Sequence, residues 1–307
     1  MQHIFLINPL AGKGKALAEI KPEIESYCEE NNIDYQIIIP DAAGKTTQIV
    51  KEMADTGNEY RFYACGGDGT LYEVVNGAYN HPNAQVAVLP LGSGNDFIRL
   101  FGKKEDFLDL DAQMNGTVVV LDAIKSGDRV AINQCSMGLD AEVCAKQAYF
   151  KKSPLLNGES AYYASLLYCI RKKTNLTFTI TIDDGEPFTQ KTLFCLCANS
   201  RWYGGGFKGA PLAEPDDGWL DFVIMKNDMN LMQMLPMINV YKEGRHLDME
   251  RVKFVRGKKL TVHSDSLAAV NFDGECEYVY DRTFEIIEKA VNFVVPSTSL
   301  YLINNKE

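Results

Sequence analysis

Three glycine-rich segments in the first third of the chain each follow a short apolar run and precede a helix-like run. The clearest is ACGGDGTLYEVVNG (64–77), where Gly66, Gly67 and Gly69 surround Asp68. Glycine has no side chain to keep a phosphate away from backbone N–H groups, and the first turn of a helix carries a partial positive charge. This pattern predicts a phosphate-binding loop.

The same segment also has a purely structural interpretation. A tight strand-to-helix turn would use Thr70 as the helix N-cap and Glu73 to complete a capping box. Both interpretations can hold together, because a capped helix leaves other N–H groups free. Asp68 remains to be explained, since its carboxylate would repel an anionic ligand. A cation is therefore expected between Asp68 and the phosphates.

The segments NPLAGKGK (8–15) and LPLGSGNDF (89–97) repeat the pattern after the predicted strands HIFLI (3–7) and QVAVLP (85–90). Strand-like and helix-like runs alternate through this region, which favours a mostly parallel sheet covered by helices. Parallel strands end at the same edge of a sheet, so the three loops are expected to meet there. The first third therefore predicts an α/β nucleotide-binding domain.

The pattern changes after about residue 125. NLTFTITIDDGEPF (175–188) alternates apolar and threonine residues, and four further runs up to residue 275 are predicted strands. Helices are expected near 158–171 and 230–244. We predict an N-terminal parallel-sheet α/β domain, an antiparallel β-sandwich-like domain, and a tail that packs back on the N-terminal domain, with the bounds 1–125, 126–290 and 291–307.

Composition narrows the function. The net charge of −10 argues against nucleic-acid binding, which needs a basic face. The eight cysteines contain no C-x-x-C pair and lie mostly in apolar runs, so reduced core thiols are expected rather than a zinc site. We find no signal peptide and no apolar run of about 18 residues, which predicts a cytoplasmic protein.

Two motifs together carry a family resemblance. GGDGT followed by LYEVVNG, with PLGSGNDF (90–97) further on, resembles the diacylglycerol kinase catalytic domain, and the length and layout resemble small bacterial lipid kinases of that type. The GGDG motif alone is less specific, because NAD kinases and phosphofructokinases use similar loops. The resemblance implies an NAD kinase/diacylglycerol kinase-like α/β + β fold, ATP and Mg²⁺ as cofactors, and phosphorylation of a lipid hydroxyl. It also implies peripheral contact with the inner membrane face, and a homodimer is compatible with it.

The resemblance assigns the nucleotide site to the three loops. A threonine that usually ends the second strand is replaced here by Pro40, with Thr46 and Thr47 further on. The residues expected to contact ATP are Asn8, Pro9, Leu10, Ala11, Gly12, Gly66, Gly67, Asp68, Gly69, Thr70, Leu71, Tyr72, Glu73, Ser93 and Asn95.

The segment APLAEPDDGWLDF (210–222) resembles the family's metal loop. The resemblance implies that Mg²⁺ is held by Glu214, Asp217 and the backbone carbonyl of Trp219. Asp68 and Asp96 would share that network and act on the phosphates through the cation. As sequence alone, D-D-G is also a common hairpin turn.

NFDGECEY (271–278) supplies the candidate catalytic groups. A bare D-G pair is a hairpin signal, but the resemblance makes Asp273 and Glu275 the catalytic acidic pair, either of which could be the base. The basic clusters Lys151–Lys152, Arg171–Lys173 and Lys258–Lys259 are interpreted as solvated faces, with lipid-headgroup contact as the alternative.

Three functional hypotheses follow. The first is a lipid kinase, acting on diacylglycerol or a related lipid. The second is an NAD kinase-like enzyme with a water-soluble acceptor, which would need no lipid for turnover. The third is a catalytically silent ATP-binding regulator, and retention of the acidic residues named above argues against it.

Overall fold

The computed structural model describes residues 1–150, 156, 158–172 and 175–301. The chain divides into two compact units, one built from residues 1–121 and 289–307 and the other from residues 122–288. Each unit has its own buried core. Within the described residues, no helix is long and apolar enough to cross a membrane.

The first unit is a parallel sheet with the strand order β13-β4-β3-β1-β2. Its order along the chain is strand, helix, strand, as the alternating pattern predicts. A 3-10 turn at Phe97–Leu100 follows β4. The elements of this unit are β1 Gln2–Ile7, α1 Ala11–Gly14, α2 Ala16–Glu30, β2 Tyr35–Ile38, α3 Lys45–Ala54, β3 Tyr60–Gly66, α4 Asp68–Ala78, β4 Ala84–Pro90, α5 Lys104–Leu108 and α6 Leu110–Met114.

The core of this unit forms because one stripe of α2 is apolar at helical spacing. Ile20, Ile24 and Cys28 are buried against residues of β1, β3 and β4. The last strand also contributes to this unit: Phe293 pairs with β4 and its ring packs 5.2 Å from that of Phe97. Because both rings are buried, their contact holds the segment that follows β4 against the last strand.

The second unit is antiparallel. Its elements are β5 Thr117–Ser126, β6 Arg129–Ala131, β7 Gln134–Gly138, α7 Leu139–Phe150, α8 Gly158–Lys172, β8 Leu176–Ile182, β9 Phe188–Ala198, β10 Leu220–Lys226, α9 Leu231–Lys242, β11 Val252–Gly257, β12 Lys259–Phe272 and β13 Glu275–Val295. β5 and β13 run across the boundary between the units. These strand patterns confirm the predicted fold class, an α/β domain and an antiparallel β domain.

Two runs that the sequence predicts as separate strands form one continuous strand in the second unit. KKLTVHS and AAVNFDGE read as separate strands, but β12 runs through both and its register with β13 shifts between His263 and Ala268. The polar run between them does not end the strand because β8 pairs with its first half and β7 with its second half. Pairing partners far away in sequence therefore decide where this strand ends.

Candidate active site

The loops that follow β1, β3 and β4 contact one another directly. We call them the β1 loop (8–10), the β3 loop (66–69) and the β4 loop (91–96). The side-chain amide of Asn8 donates to the Thr70 hydroxyl at 3.2 Å, and the backbone N–H of Leu91 donates to the carbonyl of Gly66 at 2.8 Å. Gly12, just beyond the β1 loop, donates to the carbonyl of Leu91 at 3.2 Å. The structure thus brings the predicted nucleotide loops together.

The glycines in these loops have two different roles. A Cβ added to Gly92 would lie 2.4 Å from the Cα of Gly67, and one added to Gly94 would lie 2.6 Å from Oδ2 of Asp68. Gly92 is needed because the β3 and β4 loops pack backbone against backbone there, and Gly94 because the Asp68 carboxylate lies against it. A Cβ on Gly69, in contrast, would meet no described atom within 4 Å. Gly69 therefore leaves the start of α4 open to a ligand.

Asp68 clamps the β3 loop to the β4 loop. Its two carboxylate oxygens accept hydrogen bonds from the backbone N–H groups of Asn95 at 2.8 Å and Asp96 at 2.9 Å. Burial, and then the neighbouring Asp96 carboxylate, raise the pKa of Asp68 to about 6, while the two backbone hydrogen bonds act in the opposite direction. The carboxylate is thus held by the protein itself, and its action through a cation stays a prediction.

The β4 loop is shaped by Asn95 and Asp96. Asn95 adopts a left-handed conformation with φ of 51°, and its side-chain amide donates to the carbonyl of Gly92 at 2.8 Å. Asp96 is buried and accepts from Nε of Arg99 at 2.9 Å. Ser93, at the tip, has an exposed side chain. Its hydroxyl is therefore accessible to a ligand.

Glu73 does not complete a capping box with Thr70. The predicted capping box is wrong because α4 already begins at Asp68, so Thr70 lies inside its first turn. The Glu73 carboxylate accepts instead from the backbone N–H groups of Gly44 at 2.9 Å and Thr46 at 3.2 Å, at the start of α3. Glu73 thus caps the neighbouring helix.

The remaining residues of the predicted nucleotide site differ in how accessible their side chains are to a ligand. Leu71 is buried in the core of the first unit, so only its backbone can serve a ligand. Leu10 is largely exposed, at 83% of its full accessibility. Pro9, Ala11 and Tyr72 are partly buried. Thr47, which lies beyond Pro40, donates its hydroxyl to the carbonyl of Glu73 at 2.9 Å.

The predicted metal loop is organised by arginines. Arg201 pairs with Glu214, and Arg256 pairs with both Asp217 and Asp221. Asp217 also accepts from the backbone N–H of Trp219 at 3.0 Å, which fixes the turn. Burial is the main cause that raises the pKa of Asp221.

These residues do not form a magnesium centre as they are arranged. Oxygen donors suit Mg²⁺, and Oδ2 of Asp221 is buried without a hydrogen-bond partner. However, the carboxylates of Glu214 and Asp217 are already matched by guanidinium groups. Within the residues that the structure describes, no group of three or more His, Cys, Asp or Glu could hold a metal ion. No motif pointed to the two arginines, because they lie outside the loop.

The turn between β12 and β13 separates the two candidate bases. Asp273 accepts from the backbone N–H groups of Ile132 at 2.8 Å, Asn133 at 3.2 Å and Gln134 at 2.7 Å. Asp273 and Gly274 both have positive φ, at 47° and 108°, as a two-residue hairpin turn requires. The Asp273 carboxylate is therefore occupied in holding the turn.

Glu275 is the first residue of β13 and its side chain is exposed. In the described part of the chain, no hydrogen bond or ion pair engages its carboxylate. Glu275 is thus free to accept a proton from a ligand, whereas Asp273 supports the turn that presents it.

Other charged groups interpreted from the sequence have structural partners. Lys258 pairs with Glu288 at 2.6 Å and Lys259 with Glu285 at 3.0 Å. Such exposed pairs contribute little to stability. Lys151, Lys152 and Lys173 lie outside the described residues.

Comparison with protein families matches both halves of the chain. Residues 2–126 match the model of the diacylglycerol kinase catalytic domain, and residues 133–295 match the YegS C-terminal NAD kinase beta sandwich-like domain. The chain belongs to the bacterial lipid kinases of the diacylglycerol kinase type. Membership of a kinase family implies ATP as a substrate.

Individual relatives agree with this assignment. The chain is 29% identical to a diacylglycerol kinase of Staphylococcus carnosus, over 88% of this chain and 87% of that protein. It is 27% identical to a diacylglycerol kinase of Staphylococcus aureus strain MRSA252, over 98% of this chain and 95% of that protein. A crystal structure of a diacylglycerol kinase from Bacillus anthracis strain Sterne superimposes with a TM-score of 0.68 at 18% identity, over 96% of both chains. That last similarity supports the fold.

Proposed function

We propose that the kinase transfers the γ-phosphoryl group of ATP to a hydroxyl of diacylglycerol or a related lipid at a membrane surface. The observation that carries this proposal is the contact of the three loops around the open start of α4. Backbone N–H groups and the partial positive charge of a helix N-terminus suit the phosphates of ATP. The names of the relatives favour the lipid acceptor.

We assign donor and acceptor chemistry to different parts of the chain. Residues 1–125 would bind ATP, which enters as its magnesium complex, so that the cation arrives with the substrate. Residues 126–290 would bind the lipid, and the tail at 291–307 would complete the N-terminal domain, as the packing of Phe293 against Phe97 supports.

Glu275 is the proposed base. Phosphoryl transfer depends mostly on positioning and charge stabilisation, but the acceptor hydroxyl still loses its proton. An exposed carboxylate beside a rigid turn can take that proton once a lipid hydroxyl comes within hydrogen-bond distance. Asp273 is proposed as the positioning residue that orients Glu275.

The lipid would be reached by peripheral contact with a membrane. On α9, Leu231, Met232 and Leu235 are exposed, and Met232 reaches 78% of its full accessibility. Apolar side chains on one helix favour shallow insertion at a bilayer surface. Flotation with liposomes measures this contact, and Met232→Ser should weaken it. A homodimer is a further prediction, which light scattering of the purified kinase measures.

The function is tested with γ-labelled ATP against a panel of lipids in mixed micelles. We expect a phosphorylated lipid from the wild type and a large loss of turnover in Glu275→Gln. Glu285→Gln, which neutralises an exposed carboxylate on the same strand and leaves the turn at Asp273 untouched, is the matched control and should leave the rate unchanged. Full turnover of a water-soluble acceptor without lipid would favour the NAD kinase-like alternative and overturn the proposal.

A further inference from the structure

Two cysteines lie close together beside the turn that presents Glu275. All eight cysteines belong to the described part of the chain, and six of them are buried. The two that are partly exposed are Cys144, in α7, and Cys276, the second residue of β13. A reagent in solution can therefore reach these two thiols more readily than the other six.

One carbonyl oxygen lies against both thiols. The sulfur of Cys144 is 3.4 Å from the carbonyl oxygen of Gly274, and the sulfur of Cys276 is 3.8 Å from the same oxygen. A hydrogen bond with the Cys144 side chain is the main cause that raises the pKa of the Cys276 thiol, and burial adds to it. The two thiols are thus neighbours, as the two halves of a disulfide must be.

Further contacts hold the helix and the strand that carry these cysteines together. The sulfur of Cys276 lies 3.8 Å from the carbonyl oxygen of Ala141, and the hydroxyl of Tyr278 donates to the Glu142 carboxylate at 2.8 Å. Alternate side chains of a strand share a face, so Cys276 and Tyr278 both face α7. A bond between the two sulfurs would therefore tie the residue next to Glu275 to α7.

We propose that Cys144 and Cys276 form a reversible disulfide when they react with a low-molecular-weight disulfide, and that this modification lowers the turnover of the kinase. The modification site stands apart from the proposed function. Its effect on turnover rests on that function, because it acts through Glu275 as the proposed base.

The reaction consists of two successive thiol–disulfide exchanges. The thiolate of Cys144 attacks one sulfur of the reagent RSSR, forms a mixed disulfide and releases RS⁻. The sulfur of Cys276 then attacks the Cys144 sulfur, and the bond to the RS group breaks, which releases a second RS⁻. The protons of the two protein thiols pass to the released thiolates, so that the protein loses two electrons and RSSR becomes two RSH. The raised pKa of Cys276 favours Cys144 as the first to react, because the thiolate is the nucleophile.

Oxidation changes what holds the turn at Asp273 and Gly274. A thiol can donate a hydrogen bond, whereas a disulfide sulfur has no hydrogen to donate. The Gly274 carbonyl therefore loses both neighbouring donors, and the two sulfurs must move to within bonding distance of each other. Both changes act on the backbone next to Glu275, and a displacement of about 1 Å in a catalytic group can cost about 100-fold in rate.

Formation of the disulfide is tested with oxidised glutathione at mildly alkaline pH. The remaining free thiols of the purified kinase are then blocked under denaturing conditions, and its peptides are mapped by mass spectrometry. We expect a pair of peptides joined through Cys144 and Cys276, which dithiothreitol separates. Cys169, which is 2% exposed in α8, should stay a free thiol. Separate glutathione adducts on the two cysteines, or two unmodified thiols, would overturn the assignment.

The effect on turnover is measured on the same samples with γ-labelled ATP and a lipid acceptor. Oxidation should lower kcat by roughly 10–100-fold and leave the KM for ATP unchanged, and dithiothreitol should restore the rate. Cys144→Ser/Cys276→Ser cannot form the bond, so oxidised glutathione should not change its kcat. Cys169→Ala keeps both thiols and, as the matched control, should lose turnover on oxidation as the wild type does. Full turnover of the cross-linked kinase would refute the effect on turnover.

A further variant tests how the turn senses the two thiols. Cys144→Ser/Cys276→Ser keeps hydroxyl donors near the Gly274 carbonyl, whereas Cys144→Ala/Cys276→Ala removes both donors. Without oxidant, the alanine variant should have a kcat about two- to tenfold below that of the serine variant, the range that one hydrogen bond supports. Equal kcat values in the two variants would contradict a role for these donors.

The inference and the proposed function can fail separately. If no lipid is phosphorylated but the bond between Cys144 and Cys276 forms, the lipid kinase assignment fails and the modification site stands. If lipids are phosphorylated and no such bond forms, the kinase stands and this inference fails.

Discussion

Replacing each candidate base by its amide separates a positioning role from a chemical one. In Asp273→Asn, the remaining oxygen can still accept from the backbone N–H groups of Ile132 and Asn133. The new amide NH₂ then faces the backbone N–H of Gln134, which in the wild type donates to the Asp273 carboxylate at 2.7 Å. One charge-assisted hydrogen bond is lost and two donors face each other, at a cost of about 1.5–3 kcal/mol.

Glu275→Gln should behave in the opposite way. Its side chain is exposed, so the free energy of unfolding should change by less than about 0.5 kcal/mol. Loss of the proposed base should lower kcat by roughly 10²–10⁴-fold. Asp273→Asn should lower the melting temperature by several degrees, since about 1 kcal/mol corresponds to roughly 2–4 °C in a unit of this size.

Two measurements on each variant decide the assignment: thermal unfolding, and turnover of labelled ATP with a lipid acceptor. We expect Glu275→Gln to lose turnover at wild-type stability, and Asp273→Asn to lose stability first, with turnover reduced less. A stable and inactive Asp273→Asn together with an active Glu275→Gln would exchange the two roles. Normal turnover in both variants would place the base elsewhere.

Three further predictions concern other sites. Glu73→Ala removes the acceptor for two backbone N–H groups at the start of α3, and should lower the free energy of unfolding by about 1 kcal/mol in urea titrations. Gly92→Ala places a Cβ 2.4 Å from the Cα of Gly67 and should lower both stability and ATP affinity, whereas Gly69→Ala, with no described atom within 4 Å, should raise only the KM for ATP. Asp140 is buried in the first turn of α7, and burial raises its pKa to about 6; the folded protein therefore binds this proton more tightly than the unfolded chain, so the contribution of Asp140 to stability should fall from about pH 4 to about pH 6 and then level off. The Asp140→Asn variant has no titratable group at this position, so its free energy of unfolding relative to the wild type should rise by at most about 3 kcal/mol between about pH 4 and about pH 6. A difference that does not depend on pH would contradict the raised pKa of Asp140.

The first unit follows closely from local sequence. Alternating apolar runs and helical stripes place β1, β3 and β4 within a residue or two, because these strands are buried on both faces and the helices have one apolar face. The meeting of the three loops follows from the parallel order alone. The hydrogen bonds that Glu73 accepts at the start of α3 do not follow from this order. They depend on how α3 packs against α4, and the residue spacing within α4 does not predict that packing.

The second unit follows less closely from the sequence. The pairing of Arg256 with Asp217 and Asp221 joins β11 to β10 and to the loop before it, and no local spacing connects residues that far apart. An apolar cavity lined by residues of α7, α8 and α9 likewise arises from the packing of three separate helices. A carboxylate two residues after the glycine of CSMGLDAEV was the available signal for the buried Asp140, because Gly138 has φ of 111° and begins a strand-to-helix turn.

Asp68 has a structural role in the contact between two loops as well as a proposed role in nucleotide binding. The sequence raises the objection that a carboxylate would repel a phosphate. Its two hydrogen bonds to the backbone of the β4 loop answer part of that objection, because much of its charge is directed at N–H donors of the protein. Two carboxylates in one site still repel each other, and Asp96 adds to the rise in the pKa of Asp68. A cation that arrives with ATP would relieve this repulsion, so nucleotide binding should tighten the contact between the β3 and β4 loops.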